Sequence, residues 1–88
     1  MGLRGLGSAM FSTQMWFRIA ESLNLSGREL QIVQGVFDDL TEIAIADVIQ
    51  ISPHTVHSHF ERLHRKLSVA NRVQLVLRIV EQYHRLSA

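Results

Sequence analysis

Residues 52–72 contain most of the side chains in this sequence that could do chemistry. Four of the five histidines lie there, together with four of the nine arginines and lysines and a single acid: His54, His57, His59, His64, Arg62, Arg65, Lys66, Arg72 and Glu61. With neutral histidines this segment has a formal charge of +3, whereas residues 26–51 have a formal charge of −4. A surface polarised in this way attracts polyanions to its basic end, so nucleic acid is the first partner class to consider.

The histidines also invite comparison with a metal centre. His54 and His57 are three residues apart, and His57 and His64 are seven apart, so each pair can share one face of a helix. A zinc site needs three or four convergent ligands, and the chain has no cysteine to complete one. The spacing therefore does not favour a metal site, and we expect no cofactor.

Length and composition limit the function classes further. The chain has 88 residues, of which 47% are hydrophobic and 19% are charged, and this is typical of one small globular domain. The sequence contains no nucleophile–base set, phosphate loop or catalytic carboxylate pair, so we expect no enzymatic activity. No apolar run approaches the ~20 residues of a membrane span, and the first residues lack a signal-peptide pattern. We therefore expect a cytoplasmic, nucleoid-associated protein that does not enter the membrane.

The elements that must position these side chains are helices. Apolar residues recur every three or four positions, and hairpin or alternating strand patterns are weak, so the predicted fold class is all-α. Three glycines in the first seven residues predict a flexible leader over residues 1–11, followed by an N-terminal helix over residues 12–24. The remaining domain, residues 25–88, should contain four helices that begin at four capping residues: Ser26, Thr41, Ser52 and Asn71.

Two of these helices, about residues 41–50 and residues 52–67, stand in the order of a helix-turn-helix. Ser52 is a good N-cap for the second helix, and Pro53 suits its first position because that N–H has no helical partner. The second helix has an apolar stripe for the core and a polar outer face. Such a face fits the major groove of DNA, where side chains can contact base edges.

The motifs around this helix pair resemble a known family. Residues 25–29 read L-S-G-R-E, residues 51–59 read I-S-P-H-T-V-H-S-H and residues 65–72 read R-K-L-S-V-A-N-R. In this order they resemble the LuxR-type (GerE or FixJ-type) helix-turn-helix domain, and the resemblance runs from about residue 25 to residue 76. It implies a four-helix DNA-binding domain of a bacterial transcription regulator. It also implies that helix 52–67 enters the major groove and that the last helix pairs two domains on a two-fold DNA site.

The resemblance and the polar face together give a set of candidate site residues. We expect the contacts to double-stranded DNA at Ser52, His54, Thr55, His57, Ser58, Glu61, Arg62, Arg65, Lys66 and Arg72. The last helix has two apolar stripes, and one of them, with Leu75 and Ile79, leaves the other for a partner. We expect the homodimer interface on the following stripe: Val73, Val76, Leu77, Val80 and Tyr83.

Several positions depart from the family pattern and leave a second function open. The resemblance implies lysines where this chain has Ile43 and His57, and a glycine where it has Asp39. Glu61 adds a negative charge to the face that is expected to meet DNA. Because phosphate contacts supply much of the affinity for DNA, the alternative is a protein-interaction module of the same fold. Such a module would contact another regulator or RNA polymerase through the acidic residues 38–47.

The sequence also leaves two residue roles open. Arg72 contacts a phosphate or forms a salt bridge with an acid such as Glu29, and His59 packs between helices or contacts the edge of the groove. Since imidazoles gain a proton in mildly acid solution, we expect DNA binding to strengthen there.

Overall fold

The computed structural model describes residues 6–88, and residues 1–5 lie outside the described part. A short 3₁₀ helix, Gly7–Met10, precedes five α-helices: α1 (Thr13–Ser22), α2 (Gly27–Phe37), α3 (Glu42–Ile49), α4 (Pro53–Leu67) and α5 (Arg72–Ser87). Residues 6–88 contain no strand, and the all-α prediction is confirmed for this part of the chain. None of the helices in the same range is long and apolar enough to cross a membrane.

Each α-helix begins at a polar cap. In all five, the side chain of the N-cap residue accepts a hydrogen bond from the backbone N–H three residues further on: Ser12, Ser26, Thr41, Ser52 and Asn71. Helix α2 has a complete capping box, because the Glu29 carboxylate also accepts from the Ser26 backbone N–H at 2.8 Å. The four caps that the sequence predicts for α2 to α5 are therefore confirmed.

Helix α2 lies at the centre of the core and packs against α3, α4, α5 and the 3₁₀ helix. Its Ile32 and Val33 are fully buried. Gly35 allows α3 to approach closely, since a Cβ atom at this position would lie 2.6 Å from Cγ1 of Ile45. This close packing determines where α3, and the turn that follows it, lie on the core.

The flexible leader predicted for residues 1–11 is corrected here for residues 7–11. Gly7 is buried, and a Cβ atom there would overlap the carbonyl oxygen of Phe37 at the end of α2. The Ser8 backbone N–H and hydroxyl donate to the two carboxylate oxygens of Asp38, at 2.7 and 3.0 Å. The glycine that suggested a loose chain is thus needed for a close backbone contact.

Aromatic rings attach this segment to the core. Phe11 is buried and stacks on Tyr83 of α5, with ring centroids 4.6 Å apart. Trp16 of α1 packs edge-on against Phe11 and Phe37, with both centroid distances at 5.0 Å. The 3₁₀ helix and α1 therefore cover the surface between α2 and α5.

Helix α5 has the two apolar faces that the sequence predicts. Leu75 and Ile79 are fully buried in the core, whereas Val73 and Leu77 are 68% and 62% exposed. The rest of the predicted interface stripe is half-buried against the core: Val76, Val80 and Tyr83. Helix α1 packs on α5 but leaves Val73 and Leu77 uncovered.

Candidate nucleic-acid interface

The turn between α3 and α4 sets the direction of α4. Gln50 ends α3 in a left-handed backbone conformation (φ 61°), and the Ile51 N–H donates to the Ala46 carbonyl oxygen at 3.1 Å. Ser52 then caps α4 by accepting from the Thr55 N–H at 3.1 Å, and the hydroxyl oxygens of these two residues are 2.8 Å apart. Helices α3 and α4 form the most extensive helix–helix contact among the described residues, and they make a helix-turn-helix.

The outer face of α4 brings most of the predicted DNA contacts together. Eight of the ten predicted residues are exposed: Ser52, His54, Thr55, His57, Glu61, Arg62, Arg65 and Lys66. Ser58 and Arg72 are half-buried. The opposite face of the helix is buried in the core through an apolar stripe: Val56, Phe60, Leu63 and Leu67. Helix α4 therefore presents one continuous polar surface to solvent.

His57, in the first half of this surface, lies between two carboxylates. Its Nδ1 atom is 3.1 and 3.3 Å from the two carboxylate oxygens of Glu42, the first residue of α3. Its Nε2 atom is 3.6 Å from Oε1 of Glu61, one turn further along α4. The three side chains are 40–58% exposed, so acids flank the histidine on a surface that is open to solvent.

A comparison with protein families identifies this helix pair. The model of bacterial regulatory proteins of the LuxR family matches residues 19–79. The chain belongs to this family. No curated protein and no solved structure matches the chain. The match includes all of α2, α3 and α4, and it confirms the predicted LuxR-type DNA-binding helix-turn-helix of a transcription regulator, with α1 as an additional N-terminal helix.

In this LuxR-family domain, Lys66 forms hydrogen bonds to the loop between α1 and α2 and to α2 itself. Its Nζ atom lies 2.8 Å from Oε1 of Glu29 and donates to the Asn24 carbonyl oxygen at 3.0 Å. The Lys66 side chain is 36% exposed, but that of Glu29 is only 8% exposed. Lys66 therefore ties the end of α4 to the start of α2.

The charge of Glu29 is stabilised by its neighbours. Burial acts to raise the pKa of Glu29, but the hydrogen bonds from Lys66 and from the Ser26 N–H, with the positive charge of Lys66, lower this pKa below its ordinary value of 4.5. The carboxylate is thus held in its charged form in the folded domain.

Arg72, at the first position of α5, also has intramolecular partners. Its guanidinium donates to the Leu40 carbonyl oxygen and lies over the Phe60 ring, 5.8 Å from the ring centroid. The sequence left open a salt bridge between Arg72 and Glu29, and the structure pairs Glu29 with Lys66 instead. Arg72 joins the start of α5 to the loop before α3.

Two further histidines of the LuxR-family helix α4, His59 and His64, have different surroundings. His59 is half-buried, with Nδ1 3.2 Å from a guanidinium nitrogen of Arg62. His64 packs edge-on against Phe60, and its Nε2 atom is buried without a hydrogen-bond partner among residues 6–88. In that same range no three His, Cys, Asp or Glu side chains converge to hold a metal ion.

Asp39, in the loop before α3, has a left-handed backbone conformation. Asp39 stands where the family pattern has a glycine, and it adopts the left-handed conformation (φ 59°) that favours glycine. On α3 itself, Ile43 and Val48 are 70% and 67% exposed. The exposed surface of α3 therefore includes apolar side chains, and the acids Glu42 and Asp47 are their neighbours in the sequence.

Sequence reasoning missed both acidic partners of α4. Glu42 is 15 residues before His57, and Glu29 is 37 residues before Lys66. The local signal at each acid is a position in the first turn of a helix, where acids are favoured by the helix dipole. This signal explains why an acid stands there, but it does not indicate which side chain of α4 it contacts.

Proposed function

We propose that this domain binds double-stranded DNA as a homodimer, with α4 in the major groove. The observation that carries the proposal is the exposed polar face of α4, which a capped turn holds against α3. A helix presented in this way can place its N-terminal residues against base edges. The proposal places the protein on the nucleoid, in the cytoplasm of a bacterial cell.

The proposed contacts fall into two groups. Phosphate oxygens are bound by hydroxyl and guanidinium groups of the exposed face: Ser52, Thr55, Arg62 and Arg65. Base edges are contacted by the other polar side chains of this face: His54, His57, Ser58 and Glu61. Because Lys66 and Arg72 have intramolecular partners, we assign them the role of holding α4 and α5 in place.

Arg65→Ala tests the phosphate contacts. We expect it to weaken binding to all DNA sequences about equally and to reduce the slope of log affinity against log salt by about one contact. The measurement is fluorescence anisotropy on genomic and unrelated duplexes over a salt series. Arg85→Ala is the matched control, because Arg85 is an exposed arginine on α5 that pairs with Glu81. Equal losses in the two variants would contradict the proposed orientation.

His57→Lys tests the centre of the face. A lysine offers a longer reach and a permanent charge, so we expect tighter binding to unrelated DNA and a salt dependence that is steeper by about one phosphate contact. His57→Ala should weaken binding and leave the circular dichroism spectrum unchanged, because the side chain is 58% exposed. If His57→Ala unfolds the domain while His57→Lys leaves affinity unchanged, the residue is structural.

The homodimer is supported by the uncovered part of α5. Val73 and Leu77 are exposed and adjoin the half-buried stripe of Val76, Val80 and Tyr83. An apolar patch of this kind on a small domain marks a partner surface. Leu77→Glu should give a monomer in sedimentation equilibrium under conditions where wild type dimerises, and Gln74→Glu on the same helix is the control. A wild-type monomer at high protein concentration would contradict this part of the proposal.

A second candidate function is favoured by α3. Ile43 and Val48 are exposed next to Glu42 and Asp47, and this mixed apolar and acidic surface suits a basic protein partner better than DNA. In this case the domain contacts another regulator or RNA polymerase. The salt series distinguishes the two functions. If the domain is a protein-interaction module, wild type shows no binding to genomic duplexes even at low salt. It binds purified polymerase instead, through a surface that Ile43→Lys disrupts.

A further inference from the structure

We propose that Glu42 is a positioning residue that fixes which nitrogen of His57 carries the proton, so that neutral His57 recognises a base with an amino group in the major groove. The inference rests on the proposed function, because it requires α4 to lie in that groove. It goes beyond that function by assigning a chemical preference to one side chain.

The geometry determines the hydrogen positions. Nδ1 of His57 is within hydrogen-bond distance of both carboxylate oxygens of Glu42, at 3.1 and 3.3 Å. An ionised carboxylate can only accept hydrogen bonds, so Nδ1 must donate. A neutral imidazole has one N–H, and its other nitrogen is then an acceptor. Glu42 therefore leaves Nε2 of neutral His57 as an acceptor.

An acceptor at this position divides the four bases into two classes. In the major groove, adenine and cytosine present amino donors at N6 and N4, whereas guanine and thymine present acceptors at O6 and O4. Neutral His57 therefore favours adenine or cytosine at the position it faces. A lysine, which the family resemblance implies at this position, can only donate and favours the opposite class. A histidine in place of the lysine therefore changes which bases are preferred. Glu42 sets the direction of this change, because it leaves Nε2 of neutral His57 as an acceptor.

A second proton removes this preference. Protonated His57 donates from both nitrogens, and its Nε2–H then faces Glu61, whose Oε1 atom is 3.6 Å away. Glu42 from α3 and Glu61 from α4 itself are the charged groups that face the ring among the described residues. Helices α2 and α5 pack on the opposite, buried face of α4, and their nearby charged groups Glu29 and Arg72 have partners of their own.

The first experiment measures the position of the proton on the full chain without DNA. Imidazole ¹⁵N chemical shifts distinguish the two neutral tautomers. At pH 8 we expect Nδ1–H for His57 in wild type and in Asp47→Ala, which removes an equal charge from α3. Glu42→Ala should shift the population towards Nε2–H. Predominant Nε2–H in wild type would overturn the inference, whether or not the variant folds.

The second experiment selects sequences from a pool of random duplexes at pH 8. Wild type and Asp47→Ala should prefer adenine or cytosine at one position by about fivefold, the effect of one hydrogen bond. The preference should disappear in Glu42→Ala at the same pH. An equal preference in Glu42→Ala and wild type at pH 8 would overturn the inference. Wild-type binding without this preference would overturn only this inference, whereas no binding at all would also overturn the proposed function.

Discussion

Two side-chain contacts join α4 to earlier helices, an ion pair of Lys66 and a hydrogen bond of His57, and they differ mainly in burial. Near the end of α4, Lys66 lies 2.8 Å from Glu29 of α2, whose side chain is 8% exposed. In the first half of α4, His57 lies 3.1 Å from Glu42 of α3, whose side chain is 40% exposed. Both pairs link helices that are distant in sequence, and both have similar geometry.

The different burial determines which side-chain pair stabilises the domain and which remains accessible to a ligand. A charge removed from water needs its partner, so breaking a buried pair is costly. Exposed pairs are screened by water and contribute about 0–1 kcal/mol. The Lys66 pair therefore belongs to the fold, whereas the His57 pair contributes little to stability and lies where a ligand can reach it.

Lys66→Met should have the largest effect. It leaves the Glu29 carboxylate buried without its cation, which we expect to lower the free energy of unfolding by about 2–3 kcal/mol. The loss is below that of a fully buried pair because Lys66 is one-third exposed and Glu29 keeps the Ser26 hydrogen bond. Urea unfolding measures it, with Arg65→Met as the control of equal charge. Equal stability of Lys66→Met and Arg65→Met would show that the buried pair stabilises the domain no more than an exposed charge does.

Glu29→Ala should cost less, about 1–2 kcal/mol, although it removes the same pair. The loss comes mostly from the capping box, since Lys66 is exposed enough for its ammonium group to turn towards water. Urea unfolding again gives the value, with Glu21→Ala as the control because Glu21 is an exposed acid at the end of α1. A loss greater than that of Lys66→Met would contradict the assignment of Glu29 as the buried partner.

Acid should weaken the buried pair of Lys66 and Glu29. The pKa of Glu29 is lowered in the folded state, so its contribution to stability is complete above the ordinary value of 4.5 and is lost as the pH falls through the lowered pKa. Glu29→Gln should therefore show a shallower fall of the urea midpoint below that value. An unchanged acid slope in Glu29→Gln would count against the pairing.

Glu42→Ala should have the smallest effect on stability. Because its pair with His57 is exposed, we expect the free energy of unfolding to change by less than about 0.5 kcal/mol. Thermal unfolding at pH 7, compared with Asp47→Ala, measures this change. A loss above about 1 kcal/mol would show that the two pairs are alike and that Glu42 is part of the fold.

The local features of the fold could be predicted from the sequence because they depend on neighbouring residues. The Ser26 capping box is written into four consecutive positions, and the start of α4 at Ser52 and Pro53 follows from the geometry of a helix N-terminus. The outer face of α4 was predictable for the same reason, since helical periodicity separates the His57 side from the Phe60 side.

The non-local contacts could not be predicted in this way. Lys66 looked like one more base on a polar face, and only the packing of α4 on α2 brings it to Glu29. In the sequence, Gly7 indicated a loose chain. In the structure, its missing side chain allows the backbone to lie against Phe37. Each residue acquired its role from a partner at least 30 positions away.

The packing of Phe11 and Trp16 affects the design of truncated fragments of this protein. A recombinant fragment that started with the family match at Ile19 and kept the whole of α5 would lose both rings. Phe37 and Tyr83, which those rings now contact, would then face the solvent, in addition to the exposed Val73 and Leu77. Such a fragment gains an adhesive surface that the full chain lacks. Affinity tags should therefore be fused before Leu6, and self-association seen in the shorter piece would report the cut rather than the native assembly.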